Sequence, residues 1–285
     1  MSQIADRFIF NLSRYLNFCV FQKWPDYLYI QPIYKKQQAS DDSDPTVTKF
    51  TITELNEFHK KLKKFLKLFY NTEIIFLDIL WIDENLFIDK ERHTRKKILD
   101  GPCQQEVIQY QVDGIFNSEQ IKKLKHGDQK LPRNYHGIII LTDQNLYGTR
   151  ANSKAIIGQT YMLSGFAICS FAKFLKDYDE KLESYHVTIL RVLTHEIGHL
   201  YSLPHCPNKT CGMQDAKSSV ESLTHDLDFC ERCYKKLSKM SSCKISMSKS
   251  KRSIRNIELA KMLKEDFTDC PEYKIFERAV NKLLS

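Results

Sequence analysis

Apolar positions along this chain change period several times, and each change marks an element. Tyr27–Tyr34 is a short apolar run of strand length. Residues 37–48 are polar and rich in Asp and Ser, which predicts a loop. Over Ile52–Tyr70 the apolar residues fall at helical spacing, with Phe65, Leu66 and Phe69 interleaved with lysines and Thr51 or Thr53 as N-cap. Ile74–Ile82 is a long apolar run that predicts one buried strand, and the charged stretch Asp83–Cys103 reads as a surface loop. Gln109–Asp113 leads into a helix over Ile115–Leu124, and Tyr135–Thr142 is the clearest strand. One or two strands are expected over Ala155–Phe171, around Gly158 and Gly165. Tyr185–Leu200 has no Gly or Pro before Gly198, and Leu190, Leu193, Ile197 and Leu200 form an apolar helical stripe. Strands alternate with helices to this point, which predicts a mixed α/β fold. The expected organisation is an extension over 1–24, read as helical, a main domain over 25–237 and an extension over 238–285. The last is basic and Ser-rich over Ser238–Ser253, with helices at Ile254–Lys264 and Glu272–Leu284.

The Tyr185–Leu200 helix carries the first candidate chemistry. His195-Glu196-Ile197-Gly198-His199 is an HExxH motif, and His205 falls six residues after His199. Histidines four apart on a helix share a face and can bind one metal ion. At about 100° per residue they point roughly opposite the apolar stripe, so the helix can bury its back and present both imidazoles to a cleft. His205 reaches the same ion only if the helix ends and the chain turns back. The set describes an open three-histidine zinc site with Glu196 beside it, suited to hydrolysing a peptide bond.

A second cluster follows at once. Cys206 and Cys211 form C-x4-C, Cys230 and Cys233 form C-x2-C, and eighteen residues separate the pairs. Such paired knuckles point to a structural zinc in a closed four-sulfur shell. Two disulfides are the competing arrangement, disfavoured by an odd cysteine count and by an N-terminus without a secretion-type apolar block. Consecutive side chains in extended backbone face opposite ways, so His205 could serve the open site while Cys206 serves the closed one. A rival ligand set remains: Glu221 lies at a usable distance as third ligand, with His205 then joining the cysteines.

Composition bounds the rest. The 285 residues are 42% apolar and 27% charged, which suits a soluble globular chain with a substantial core. No apolar run approaches the ~20 residues of a membrane span. Nine cysteines without a secretion signal point to a reducing compartment, cytosol or nucleus. The net charge of +8 is spread over lysine-rich faces with no nucleic-acid motif, so nucleic acid is not an expected partner.

The order HExxH-x5-HC-x4-C-x-M followed by C-x2-C resembles the archaemetzincins, a metzincin-clan family of zinc peptidases. Tyr29–Ile33, Gly137–Asp143 with Leu146-Tyr147, and Gly158-Gln159, Gly165 and Phe171-Ala172 are also similar to family segments, over about residues 27–237. The resemblance implies a metzincin-like mixed twisted sheet with an active-site helix and a zinc-stabilised C-terminal subdomain. It implies His195, His199 and His205 as ligands of a catalytic zinc, Glu196 as general base, and Cys206, Cys211, Cys230 and Cys233 around a structural zinc, two ions per chain. It places Met213 in the turn beneath the site and the segment near Gln159–Ser170 as an edge strand that aligns an extended peptide. The expected activity is a metallopeptidase acting on peptides or proteins, of the aminopeptidase or small-peptide class. The competing expectation is a zinc-stabilised interaction module with little catalysis. The chain departs from the family at Ser202, where a Gly normally supports the turn out of the helix; Ser there costs about 1 kcal/mol if the residue takes positive φ.

Overall fold

The computed structural model describes residues 27–35, 51–82, 94–99, 105–126, 131, 135–148, 155–172, 182–215, 226–240, 249–267 and 271–284. The expected N-terminal helical extension and the loop over 37–48 lie outside these residues.

Its centre is a mainly parallel sheet. Strands β1 (Tyr27–Lys35), β2 (Glu73–Phe76), β3 (Leu80–Ile82), β6 (Tyr135–Thr142), β9 (Gly158–Tyr161) and β10 (Phe166–Ser170) join in the order β2-β1-β6-β10-β9, with β3 also on β1. All these pairings are parallel except β9 on β10, which is antiparallel and forms one edge. A smaller sheet orders β4 (Thr94–Leu99), β5 (Gln105–Gln111), β7 (Asn145–Tyr147) and β8 (Ala155–Ile156) as β4-β5-β7-β8.

Both faces of the large sheet are covered, which is why its strands read as unbroken apolar runs. Leu28, Ile30, Ile139, Leu141, Ala167 and Cys169 face α1 (Ile52–Tyr70) and α4 (Leu182–Leu200). Tyr29, Ile33, Ile138, Ile140, Phe166 and Ile168 face the short helices α2 (Val112–Phe116) and α3 (Glu119–His126). Helix α1 is started by a capping box: Glu54 N–H donates to Thr51 Oγ1 at 3.2 Å, and Thr51 N–H donates to Glu54 Oε2 at 2.7 Å. Three later helices, α5 (Glu231–Met240), α6 (Lys249–Asp266) and α7 (Tyr273–Leu284), complete the larger core through Leu237, Leu259, Leu263, Phe267 and Phe276. Helix α5 runs across the 237/238 boundary drawn from composition.

Three sequence expectations are corrected. Ile74–Ile82 is two strands, not one. Between them Leu77 N–H donates to Ile30 O at 2.8 Å, and the Gln31 side-chain amide takes Asp78 O at 2.8 Å, so the run is interrupted beside a single partner strand. The charged stretch Asp83–Cys103 is not wholly a loop, because Thr94–Leu99 pairs antiparallel with β5. Its ladder bonds come from the backbone and leave no apolar period to read; Arg95 nevertheless bonds Gln109 Oε1 at 2.8 Å and lies 4.2 Å from the Tyr147 ring centre. The helix expected over Ile115–Leu124 is two helices broken at Asn117 and Ser118. No helix among the described residues is long and apolar enough to cross a membrane.

Candidate metal centres

Helix α4 packs its back, Leu190, Leu193 and Ile197, into the core and presents His195 and His199 on its other side. The two ring centroids are 4.6 Å apart. Backbone carbonyls orient both rings: His195 Nδ1 lies 2.8 Å from Gly212 O, and His199 Nδ1 lies 2.7 Å from Leu203 O. A carbonyl only accepts, so each Nδ1 carries the proton and each Nε2 presents a lone pair. The two Nε2 atoms face each other at 3.0 Å. With both rings neutral neither donates to the other, and a cation shared between the two lone pairs removes their repulsion. Two nitrogens on one tetrahedral zinc, each at about 2.0–2.1 Å, stand roughly 3.4 Å apart. The donor chemistry of the pair therefore fits a metal ion.

His205 joins them from the loop beyond α4. Its ring centroid is 5.3 Å from that of His195 and 4.7 Å from that of His199, and one nitrogen of each ring lies within 4.8 Å of the others. The imidazole stands with the histidines and not with the cysteines. Glu221, the rival third ligand, lies outside the described residues. Asp215 Oδ1 is 3.8 Å from His205 Nε2.

The turn that brings His205 back is made despite Ser202. Ser202 takes the left-handed conformation, φ 59°, and its N–H donates to His199 O at 2.8 Å while Leu203 N–H donates to Gly198 O at 3.0 Å. These are the two bonds of a Schellman cap, with Ser in the position that Gly favours. The same turn aims Leu203 O at His199 Nδ1, so the helix cap and the ring orientation are one piece of structure.

Glu196 points away from the histidines' neighbouring turn toward the sheet edge. Its carboxylate is buried against β9: Thr160 Oγ1 lies 2.5 Å from Oε2, and a Cβ on Gly158 would stand 2.3 Å from Oε1. Glycine is required at 158 by that approach. Burial pushes the carboxyl up to about 7, against the pull of the Thr160 hydroxyl. Beneath the helix, Met213 is fully buried, and a Cβ on Gly198 would meet its Sδ at 2.3 Å. The glycine inside HExxH is thus the place where Met213 reaches the helix backbone.

Farther along the chain Cys206, Cys211, Cys230 and Cys233 converge, all four sulfurs within 4.8 Å of one another. Cys206 to Cys230 and Cys211 to Cys233 are each 3.7 Å, far beyond the ~2.05 Å of a disulfide and close to the roughly 3.8 Å between sulfurs at 2.3 Å from one tetrahedral zinc. The Cys211 and Cys233 sulfurs are hydrogen-bonded, and the N–H groups of Cys230 at 3.3 Å and Met213 at 3.5 Å point at the Cys211 sulfur. Together these contacts, that with Cys233 most, pull the Cys211 thiol below its ordinary value against the effect of burial. This set also fits a metal ion.

A model of Peptidase family M54 matches residues 93–239, just over half of the chain. The chain belongs to Peptidase family M54. Archaemetzincin of Methanopyrus kandleri is 33% identical over 99 residues, 35% of this chain and 54% of the relative. Archaemetzincin of Methanocaldococcus jannaschii is 29% identical over 127 residues, 44% of this chain and 66% of the relative. Archaemetzincin-2 of Macaca fascicularis is 30% identical over 142 residues, 40% of this chain and 39% of the relative. The matched stretch thus spans between about two fifths and two thirds of these relatives' own lengths. Among solved structures, archaemetzincin of Methanopyrus kandleri superposes with TM-score 0.51 at 20% identity, covering 79% of this chain and 99% of that one, which establishes a shared fold.

Within this M54 chain several supporting residues were invisible to sequence reasoning. His136 is buried at the start of β6 with Nε2 3.1 Å from Leu200 O, and its ring stacks on Tyr201 at 4.0 Å. Tyr70 stacks on the other side of the helix end, 5.4 Å from Tyr201, and its hydroxyl donates to Thr194 O. Gly158 and Thr160 share one face of β9, a period-2 signal that only their partner on α4 makes legible.

Proposed function

We propose that this chain is a zinc metallopeptidase that hydrolyses peptide bonds at the three-histidine site. The observation that carries this reading is the pair of Nε2 atoms 3.0 Å apart, on rings whose Nδ1 atoms each face a backbone carbonyl. His195, His199 and His205 would hold the ion, leaving one coordination position for a fourth group. Zinc bound there supplies Lewis acidity, lowering the pKa of a water and polarising a scissile carbonyl.

The chain's own residues supply the rest. Glu196, one residue from His195 and held by Thr160, takes a proton from the attacking water and returns it to the leaving amine. The outer edge of β9 runs beside that carboxylate, and its backbone is placed to align an extended peptide as an added strand. The four cysteines hold a second zinc that fixes the backbone delivering His205. The catalytic unit is the stretch over 25–237, and its substrates are peptides or proteins. The narrower aminopeptidase activity is read by comparing free and N-acetylated peptides: an aminopeptidase loses its substrate on acetylation.

Zinc-loaded wild-type protein and Glu196→Gln, incubated with a peptide library, test the reading. The variant is expected to keep its metal and lose about 10²–10⁴-fold in cleavage rate. Equal cleavage by both removes Glu196 as base. Metal retention with no cleavage by the wild type identifies an interaction module instead of an enzyme.

A further inference from the structure

Helix α6 lies beyond the stretch that the family model matches, yet two of its side chains grip the segment that carries Cys230 and Cys233. Arg255 is buried, 4% exposed, with Nη2 3.2 Å from Asp228 Oδ1 and Nη1 3.2 Å from Phe69 O. Its guanidinium also lies 4.9 Å from the Tyr234 ring centre, and the Tyr234 hydroxyl donates to the same Asp228 oxygen. One turn earlier, the Arg252 guanidinium lies 4.3 Å from the same ring centre and pairs with Glu231 at 2.5 Å. Asp228, Glu231 and Tyr234 bracket both cysteines of the C-x2-C knuckle.

The contact continues inward. Asp228 O accepts Gly212 N–H at 2.9 Å, and Gly212 O is the acceptor that fixes His195 Nδ1 at 2.8 Å. Gly212, whose carbonyl orients the first histidine, is therefore held on its N–H side by the backbone of an aspartate that α6 contacts. Arg255 also donates to Asn256 Oδ1 from Nε at 3.0 Å and from Nη2 at 2.6 Å, so the buried guanidinium is fixed on its own helix and leaving Asp228 without it is costly.

We infer that Arg255 is a positioning residue for both metal centres, and that helix α6 clamps the segment over 226–234 so that the Gly212 carbonyl holds His195 in its metal-facing tautomer. The inference rests on the metallopeptidase reading for what the histidines bind, but it is tested without catalysis. Orienting partners of metal-bound histidines typically contribute about 10–100-fold in metal affinity.

The test uses the full chain loaded with Co²⁺, as wild type, Arg255→Met and Arg255→Lys. Visible absorption reports the imidazole-bound ion and thiolate charge-transfer bands report the sulfur-bound ion, while chelator competition gives each affinity. Arg255→Met is expected to shift the imidazole-site bands and weaken that site about 10-fold or more. Arg255→Lys restores charge and is expected to recover part of the affinity. If Arg255→Met does not fold, Asp228→Asn, similar in shape but without the charge, reads the same quantities and is expected to change them in the same direction. Wild-type spectra and affinities in the folded variant overturn the clamp and leave the metallopeptidase reading standing. A wild-type chain that takes no ion among its histidines overturns both.

Discussion

The three-histidine and four-cysteine clusters are built from one stretch of chain, yet they are opposite kinds of site. Cys206, Cys211 and Cys233 are buried, backbone N–H groups point at the Cys211 sulfur, and the four sulfurs complete a closed shell. His195 and His199 are half-buried and His205 is exposed, with three donors converging where a tetrahedral ion has four positions. The first arrangement can only hold; the second can hold and still accept a ligand. His205 and Cys206 are adjacent, and Cys206 N–H donates to Met213 O at 2.8 Å, so on the proposed reading the closed cluster would steady the backbone from which the open one receives its third imidazole. Rigidity is concentrated in the sulfur cluster, and access in the histidine cluster.

The contrast is broken most severely at the sulfur cluster. Cys211→Ser removes the sulfur at which the N–H groups of Cys230 and Met213 point. The expected cost is on the order of 5 kcal/mol or more, a fall of roughly 10–20 °C in unfolding midpoint for a chain of this size. Because the same backbone delivers His205, metal analysis should show both ions depleted. Retention of a full equivalent at the histidines would mean that the two clusters are independent.

The contrast is sharpened at Gly158. Gly158→Ala forces Glu196 Oε1 away from a Cβ that would stand 2.3 Å from it, without touching any metal-binding side chain. Peptidase turnover should fall on the order of 10²-fold, while the metal content of both clusters is unchanged. Loss of metal together with turnover would place the effect in the helix and not in the carboxylate.

The smallest effect belongs to the turn. Ser202→Gly relieves a left-handed serine and should stabilise the fold by about 1 kcal/mol, read by chemical denaturation, with turnover and metal content preserved. A destabilised Gly variant would show that the serine side chain contributes a contact that outweighs its backbone strain.

Much of this was legible before any coordinates. The helical stripe of Leu190, Leu193 and Ile197 fixed which side of α4 is buried, and spacing alone grouped the cysteines and the histidines as the structure does. The apolar runs at Tyr27–Tyr34 and Tyr135–Thr142 read correctly because a strand covered on both faces needs no polar alternation. What escaped was set by contacts distant in sequence. Thr160 meets Glu196 across 36 residues, His136 meets Leu200 across 64, and Arg255 meets Asp228 across 27, and none leaves a local period. Strand β4 escaped for a different reason: its residues are charged, and backbone ladder bonds carry no trace in the side-chain pattern. The cost of Ser202 was foreseen, but whether the turn would form was not, because the Schellman bonds involve only backbone atoms.

Anomalous scattering at the zinc edge from crystals of the metal-loaded chain tests the central claim most directly. The account predicts two peaks, one in contact with the Nε2 atoms of His195 and His199 and a nitrogen of His205, the other enclosed by the four cysteine sulfurs. A single peak at the sulfurs, with the histidine nitrogens bare after saturating reconstitution, would contradict it.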